Sequence, residues 1–367
     1  MRAAAAALAF LAALAPALAA AGGWEFLGPV PDAITGMSDP SRGSLLVSTQ
    51  SGGVFRSEDG GETWDPVTAG LPAGPGVRFS SIANDAGDSR VFYMAGQEPA
   101  VDSLNGNLLR SVDGGRSWAF ADTGLGGGFP VKIVSSADPA GGTILYTTVC
   151  IFDLFPTPCR LHTFASRNRG ATWNEVANAP TNASVLAAHG ATVYAGGSDG
   201  LFRSSNEGAD WEEIDEGLAR CDVRALAIDP SNPLVLYAGQ GEDGPRFVCG
   251  DVYRSVDGGA HWSSTGLGRD VTAVATDSTR VVAGATRSGF FYPPGGVAES
   301  LDGGATWTDL ELPTATALRI ALGSRGFSLF AGTDVGLYRL PLVDILPVTA
   351  PEAARTSSLG SNGDRRK

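Results

Sequence analysis

Ser57-Glu58-Asp59-Gly60-Gly61-Glu62-Thr63-Trp64 is a phrase that this chain writes six times. It returns as Ser111-Val-Asp113-Gly-Gly-Arg-Ser117-Trp118, Ser255-Val-Asp257-Gly-Gly-Ala-His261-Trp262 and Ser300-Leu-Asp302-Gly-Gly-Ala-Thr306-Trp307. Two looser copies lie between them: Ser166-Arg-Asn168-Arg-Gly170-Ala-Thr172-Trp173 and Ser204-Ser-Asn206-Glu-Gly208-Ala-Asp210-Trp211. A fixed phrase spaced by tens of residues marks a repeat architecture. Each copy follows an apolar run such as Gly53-Val54-Phe55-Arg56 or Asp251-Val252-Tyr253-Arg254, and a new strand opens at the Trp. Between the two the chain must reverse tightly. Asp or Asn accepts hydrogen bonds from its own turn, and Gly supplies the positive φ that such turns require. Ser and Thr hydroxyls add local bonds to the backbone, and the Trp buries its ring where neighbouring sheets meet. The phrase reads as a structural hairpin staple.

In this pattern the chain resembles the Asp-box, or BNR-repeat, family of β-propellers over residues 24–341. That family includes sialidases, xyloglucanases, sortilin-type receptors and photosystem assembly factors. The resemblance implies that Asp59, Asp113, Asn168, Asn206, Asp257 and Asp302 lie on the face opposite the ligand site, with a structural role. Seven Trp occur, and six of them close a copy of the phrase. The seventh, Trp24, opens a run, Trp24-Glu-Phe-Leu, that reads like the strands after the copies. Phe330 to Arg339 reads like the two strands before a copy, yet no copy follows. The N-terminal strand is therefore expected to complete the blade begun near the C terminus, leaving no long open edge. The expectation is an all-β fold: one seven-bladed β-propeller of four-stranded antiparallel blades, closed by the N-terminal strand.

Composition agrees, with 50 Gly and 22 Pro among 367 residues and short apolar runs between them. Met1-Arg2, an apolar stretch over residues 3–14 and Ala17-Leu18-Ala19 have the layout of a secretory signal peptide. Residues 1–21 are thus expected to be a signal peptide, 22–341 the propeller, and the Pro- and Ser-containing 342–367 a disordered tail. These features place the protein outside the cytoplasm, in a periplasmic or extracellular setting, with no membrane span in the mature chain. Four Cys fit an oxidising compartment. Each pair lies within one repeat, which predicts Cys150–Cys159 and Cys221–Cys249. A metal site would need clustered ligands, and with scattered Cys and three His none is expected, nor is any cofactor.

The net charge of −13 argues against nucleic acid or an anionic membrane as partner. Arg78, Lys132, Arg224 and Arg319 fall in the first strand of their blades, which lines the central channel of propellers, and form a candidate basic patch for an anionic ligand. The loops between second and third strands are short in blades one, four and seven and long in blades two, three, five and six. The long ones carry off-pattern aromatic and basic residues: Phe152 and Phe155, Arg246 and Phe247, then Arg287, Phe290, Phe291 and Tyr292. Extra length on one face is where repeat proteins build binding surfaces, and aromatic and Arg side chains dominate binding hot spots. No catalytic constellation stands out. Tyr292 with Glu299 is the nearest approach to the Tyr–Glu pair of sialidases, whose early arginine motif is not recognisable here. The related xyloglucanases use two propellers with a carboxylate from each, and one propeller cannot build that cleft. The sequence reading is a non-catalytic, monomeric binding or assembly module for a protein or glycan, and the alternative is a sialidase-like glycoside hydrolase.

Overall fold

The computed structural model describes residues 23–28, 32–72, 76–97, 106–152, 159–241, 249–286, 295–312 and 328–342, together with the backbone of 317–323. Among these residues twenty-eight strands form seven four-stranded antiparallel sheets. Among the described residues helix is confined to a 3-10 turn, Pro40–Arg42. The first strands of successive blades touch in order, and that of blade seven (Ala317–Gly323) returns to that of blade one (Ile34–Met37). The ring is closed. Strand Glu25–Gly28 pairs with Gly336–Pro341 as the outer strand of blade seven, with Glu25 opposite Arg339 and Phe26 opposite Tyr338.

The core lies between blades. One cluster joins Tyr93 and Leu108 of blade two to Ile133, Leu145 and Val149 of blade three, and another joins Phe330 and Leu337 of blade seven to Ile34 and Val47 of blade one. Each sheet is apolar on both faces because it is packed on both sides. Strand directions alternate, so the repeated turns emerge on one face of the disc. The loops between second and third strands emerge on the other.

The repeated turn is a self-contained hydrogen-bond set. Ser57 Oγ donates to Asp59 Oδ1 (2.8 Å) and accepts from Gly61 N (2.7 Å), while Thr63 N donates to Asp59 Oδ1 (2.9 Å). The looser copies keep this geometry with Asn: Asn206 Oδ1 accepts from Asp210 N, and its Nδ2 donates to the Asp210 carboxylate (both 2.9 Å). Arg169 and Glu207 stand where the other turns have glycine, and adopt φ of 58° and 63°. That left-handed conformation costs a non-glycine residue roughly 1–2 kcal/mol.

Burial pushes the Asp113 carboxyl upward, but hydrogen bonds from Ser117, Ser111 and Arg116 N outweigh it and hold the group down at about 2, below its ordinary 3.8. A bond from Thr306 does the same for Asp302, also at about 2. A carboxylate depressed in the folded state contributes stability that is complete above its unfolded value and is lost as pH falls through its folded value. Melting temperature is therefore expected to decline as pH drops from about 4 to about 2. Asp113→Ala, which removes bonds from Ser111, Ser117 and Arg116, should cost about 1–2 kcal/mol near neutrality and flatten that decline. An Asp113→Ala protein that melts as the parent does at pH 7 would refute the staple role.

Two further contacts stitch neighbouring blades together. The first is an arginine near the end of the third strand, just before the Ser wherever a repeated turn follows. Arg56 Nε donates to Gly114 O of the next blade, Arg203 Nη1 to Gly258 O (2.7 Å), and Arg339 Nη1 to Gly60 O (3.4 Å). The second is the Trp of the turn, whose indole N–H reaches back to the outer strand of the preceding blade. Trp64 donates to Leu27 O (3.0 Å), Trp173 to Ala121 O (2.6 Å), Trp262 to Ile214 O (2.7 Å) and Trp24 to Leu310 O (2.7 Å).

Candidate functional site

Every first strand carries a β-bulge at the equivalent place, centred on Thr35, Ser80, Val131, Ser184, Arg224, Thr272 and Leu318. The residue before each described bulge is buried in a blade core, as Phe79 and Val223 are, while bulged hydroxyls reach the first strand of the next blade: Thr35 Oγ1 donates to Phe79 O (2.6 Å) and Ser80 Oγ to Val131 O (2.8 Å). Bulges re-aim side chains. Here the sequence-predicted basic residues stand at different positions relative to the bulge of their strand. Arg78 stands exposed at the start of its strand, on the long-loop face, and Arg224 sits on the bulge itself. Lys132 and Arg319 lie one residue past it. Arg224 is ion-paired with Asp270 of blade six (3.2 Å), with both side chains largely buried. Lys132 lines a cavity of ≈ 720 Å³ at the channel end nearer the repeated turns, with Asp39, Asn84, Ser135 and Asp277.

Both disulfides form as pairs, with Cα separations of 5.4 Å for Cys150–Cys159 and 5.9 Å for Cys221–Cys249. Both lie toward the face opposite the repeated turns. The first closes the loop 153–158 at its base, where the Phe152 ring packs at a tilt on Phe129, centroids 6.1 Å apart. The second ties the start of blade five's first strand (Asp222–Ile228) to the start of its third (Asp251–Ser255). Buried Gln240 fixes the same corner, donating to Ala219 O (3.0 Å) and Cys221 O (3.1 Å). Asp251 gathers the next turn, accepting from Val252 N and Leu267 N (both 2.8 Å) and from Ser264 Oγ. The bases of two of the four long loops are thus braced by a disulfide, one of them also by these hydrogen bonds. Phe155, Arg246, Phe247, Arg287, Phe290, Phe291 and Tyr292 lie outside the described residues.

Glu299, weighed above as half of a catalytic dyad, is ion-paired with Arg280 at 2.6 Å. Among the described residues no three His, Cys, Asp or Glu side chains are grouped as metal ligands would be. No helix among them is long and apolar enough to cross a membrane. Sequence reasoning missed the inter-blade stitches and a cavity between blades three and four. A signal for both was present in the arginine that precedes the turn at Arg56, Arg110, Arg203 and Arg254 but is replaced by Ala165 in blade three and by Glu299 in blade six.

No family model matches the chain. A xyloglucanase of Hypocrea jecorina is 27% identical over 303 residues, which cover 76% of this chain and 35% of that protein. The chain spans about a third or less of the curated xyloglucanases it matches. Among solved structures, YCF48 bound to a D1 peptide superposes with a TM-score of 0.61 at 17% identity, covering 87% of this chain and 97% of that one. An ancestral GH74 enzyme superposes with a TM-score of 0.62 at 19% identity, covering 86% of this chain and 46% of that one. These structural likenesses carry the propeller fold and nothing finer.

Proposed function

We propose that this protein is an exported, non-catalytic propeller of the Asp-box type that binds a protein or glycan partner through the long loops on the face away from the repeated turns. The observation that carries the reading is the bracing of that face. Two disulfides and the Gln240 and Asp251 networks hold the loop bases, so less entropy is lost when a ligand orders the loop tips. YCF48, a solved structure matched over 97% of its own chain, is bound to a D1 peptide, which favours a protein partner. Two disulfides suit an oxidising compartment, and the net charge of −13 disfavours nucleic acid.

The test is partner capture by the full mature protein from the exported fraction of its own organism, beside the triple variant Phe290→Ser, Phe291→Ser and Tyr292→Ser. Lost capture with unchanged melting is expected. Retained capture with lowered melting would assign these aromatics to packing and move the site elsewhere. The second reading, glycoside hydrolysis, is favoured by the likeness to xyloglucanases. Incubation with xyloglucan and with fluorogenic sialosides should release nothing, and saturable turnover of either would replace the binding reading.

A further inference from the structure

The seam between blades three and four lacks both stitches. Ala165 occupies the place of Arg56, Arg203 and Arg339 and has no donor to offer. The indole of Trp211 does not cross to the preceding blade, where Val176 is the counterpart of Leu27, Ala121, Ile214 and Leu310. Its N–H donates instead to Gly208 O in its own turn (3.1 Å). A cavity of ≈ 410 Å³ opens at this seam, with Ala165, Asn174, Glu175, Val176, Glu207 and Gly208 in its wall. The hydroxyl of Tyr146, which shares a packed cluster with Ala165 and Trp211, is buried without a hydrogen-bond partner. Two of its counterparts have partners: Tyr93 donates to Asp85 (2.8 Å) and Tyr194 to Gly258 O (3.5 Å).

We propose that this seam is a pocket for an arginine side chain presented by a partner polypeptide, whose guanidinium takes the place of the one that blade three lacks. The chain itself supplies the precedent. At the equivalent seam between blades four and five, the Arg203 guanidinium donates to a turn carbonyl and to the Glu212 carboxylate. Between blades seven and one, Arg339 makes the same pair of contacts with Gly60 O and Glu25. At the open seam the corresponding turn carbonyl belongs to Glu207. The position opposite Ala165, held by Glu212 in blade four and Glu25 in blade seven, is Asn174. The wall holds two carboxylates, Glu175, which also meets His162 Nδ1 (2.8 Å), and Glu207, against one guanidinium, that of Arg167, which is already ion-paired with Glu207 and with Asp138 (3.5 Å). Ala165 and Val176 offer apolar surface to the side-chain stem. A planar five-donor fork fits carbonyl and amide acceptors together, and a lysine ammonium does not reproduce it.

The pocket lies on the face of the repeated turns, so it is separate from the loop surface proposed above and independent of that reading. The test titrates the full mature protein with N-acetyl-arginine amide, followed by heteronuclear NMR. Binding in the millimolar range is expected, with shifts at Ala165, Glu207 and Gly208, and about tenfold weaker binding of N-acetyl-lysine amide. Ala165→Arg fills the slot from within and should abolish probe binding while raising the melting temperature. Asn174→Asp restores an acidic partner such as blades one, four and seven carry and should tighten binding several-fold. Equal affinity for the arginine and lysine probes, or probe binding that survives Ala165→Arg, would overturn the proposal. If Ala165→Arg does not fold, unchanged affinity in Asn174→Asp overturns it. The loop-face triple variant should bind the probe as the parent does, so that failure of one reading is distinguishable from failure of the other.

Discussion

A protein lacking residues 23–27 is expected to lose its closed ring and to aggregate. Those residues carry Trp24, 1% exposed, whose indole N–H donates to Leu310 O across the seam between blades six and seven. They also carry Glu25, which is ion-paired with Arg339 at 2.6 Å, and Phe26, which meets Tyr338 edge to face with ring centroids 5.3 Å apart. Truncating a buried Trp alone typically costs about 3–5 kcal/mol. Deletion also breaks the ladder with Gly336–Pro341 and bares that strand as an unpaired edge, which templates association. At about 2–4 °C per kcal/mol for a domain of this size, melting should fall by about 10 °C or more. Trp24→Ala in the intact chain separates packing from pairing, because it should lower melting without the aggregation. A deletion variant that melts as the parent does and stays monomeric would refute closure by the N-terminal strand.

Removing the disulfides should have the next largest effect, and an unequal one. Cross-links restrict the unfolded chain more when they enclose longer loops. Cys221 and Cys249 are separated by 28 residues and Cys150 and Cys159 by 9. The chain-entropy estimate gives about 3–4 kcal/mol for the first and about 2–3 kcal/mol for the second. Urea unfolding of Cys221→Ser/Cys249→Ser and of Cys150→Ser/Cys159→Ser should reproduce that order. Partner capture should weaken in both variants even at temperatures where the propeller remains folded, because the loop bases are no longer held. Undiminished capture by both would separate the disulfides from binding and leave them with stability alone.

The features legible in the sequence are those whose physics is local. The repeated turn closes its hydrogen bonds within eight residues, from Ser57 to Trp64, so its spelling alone declares its shape. The blade count followed from unpaired pieces at the two ends of the pattern, Trp24 at one and the Phe330–Arg339 stretch at the other. The Cys pairs were legible because each stays within one repeat. The looser copies also kept their turn, since Asn206 and Asp210 preserve the bonds that Asp and Thr make elsewhere.

The arrangement across blades was not legible in the same way. Arg56 meets Gly114 58 positions away, and Arg339 meets Gly60 across the closure of the ring. Such contacts depend on how adjacent sheets twist and register, which no single repeat encodes. The basic residues of the first strands looked like one channel patch because each lies on the first strand of its blade, but they stand at different positions relative to the bulge of that strand, and Asp270, from the next blade, engages Arg224. The change from Arg to Ala at position 165 was visible as a letter and silent as a consequence. Only the packing of blade three on blade four turned it into a cavity with an open turn carbonyl and two carboxylates in its wall. The sequence by itself determined the turns, the strand order and the number of blades, because hydrogen bonds within a few residues and side-chain periodicity decide those. The tertiary structure alone decided which seams are stitched and which is open, because that depends on distances between groups that only ring closure brings together.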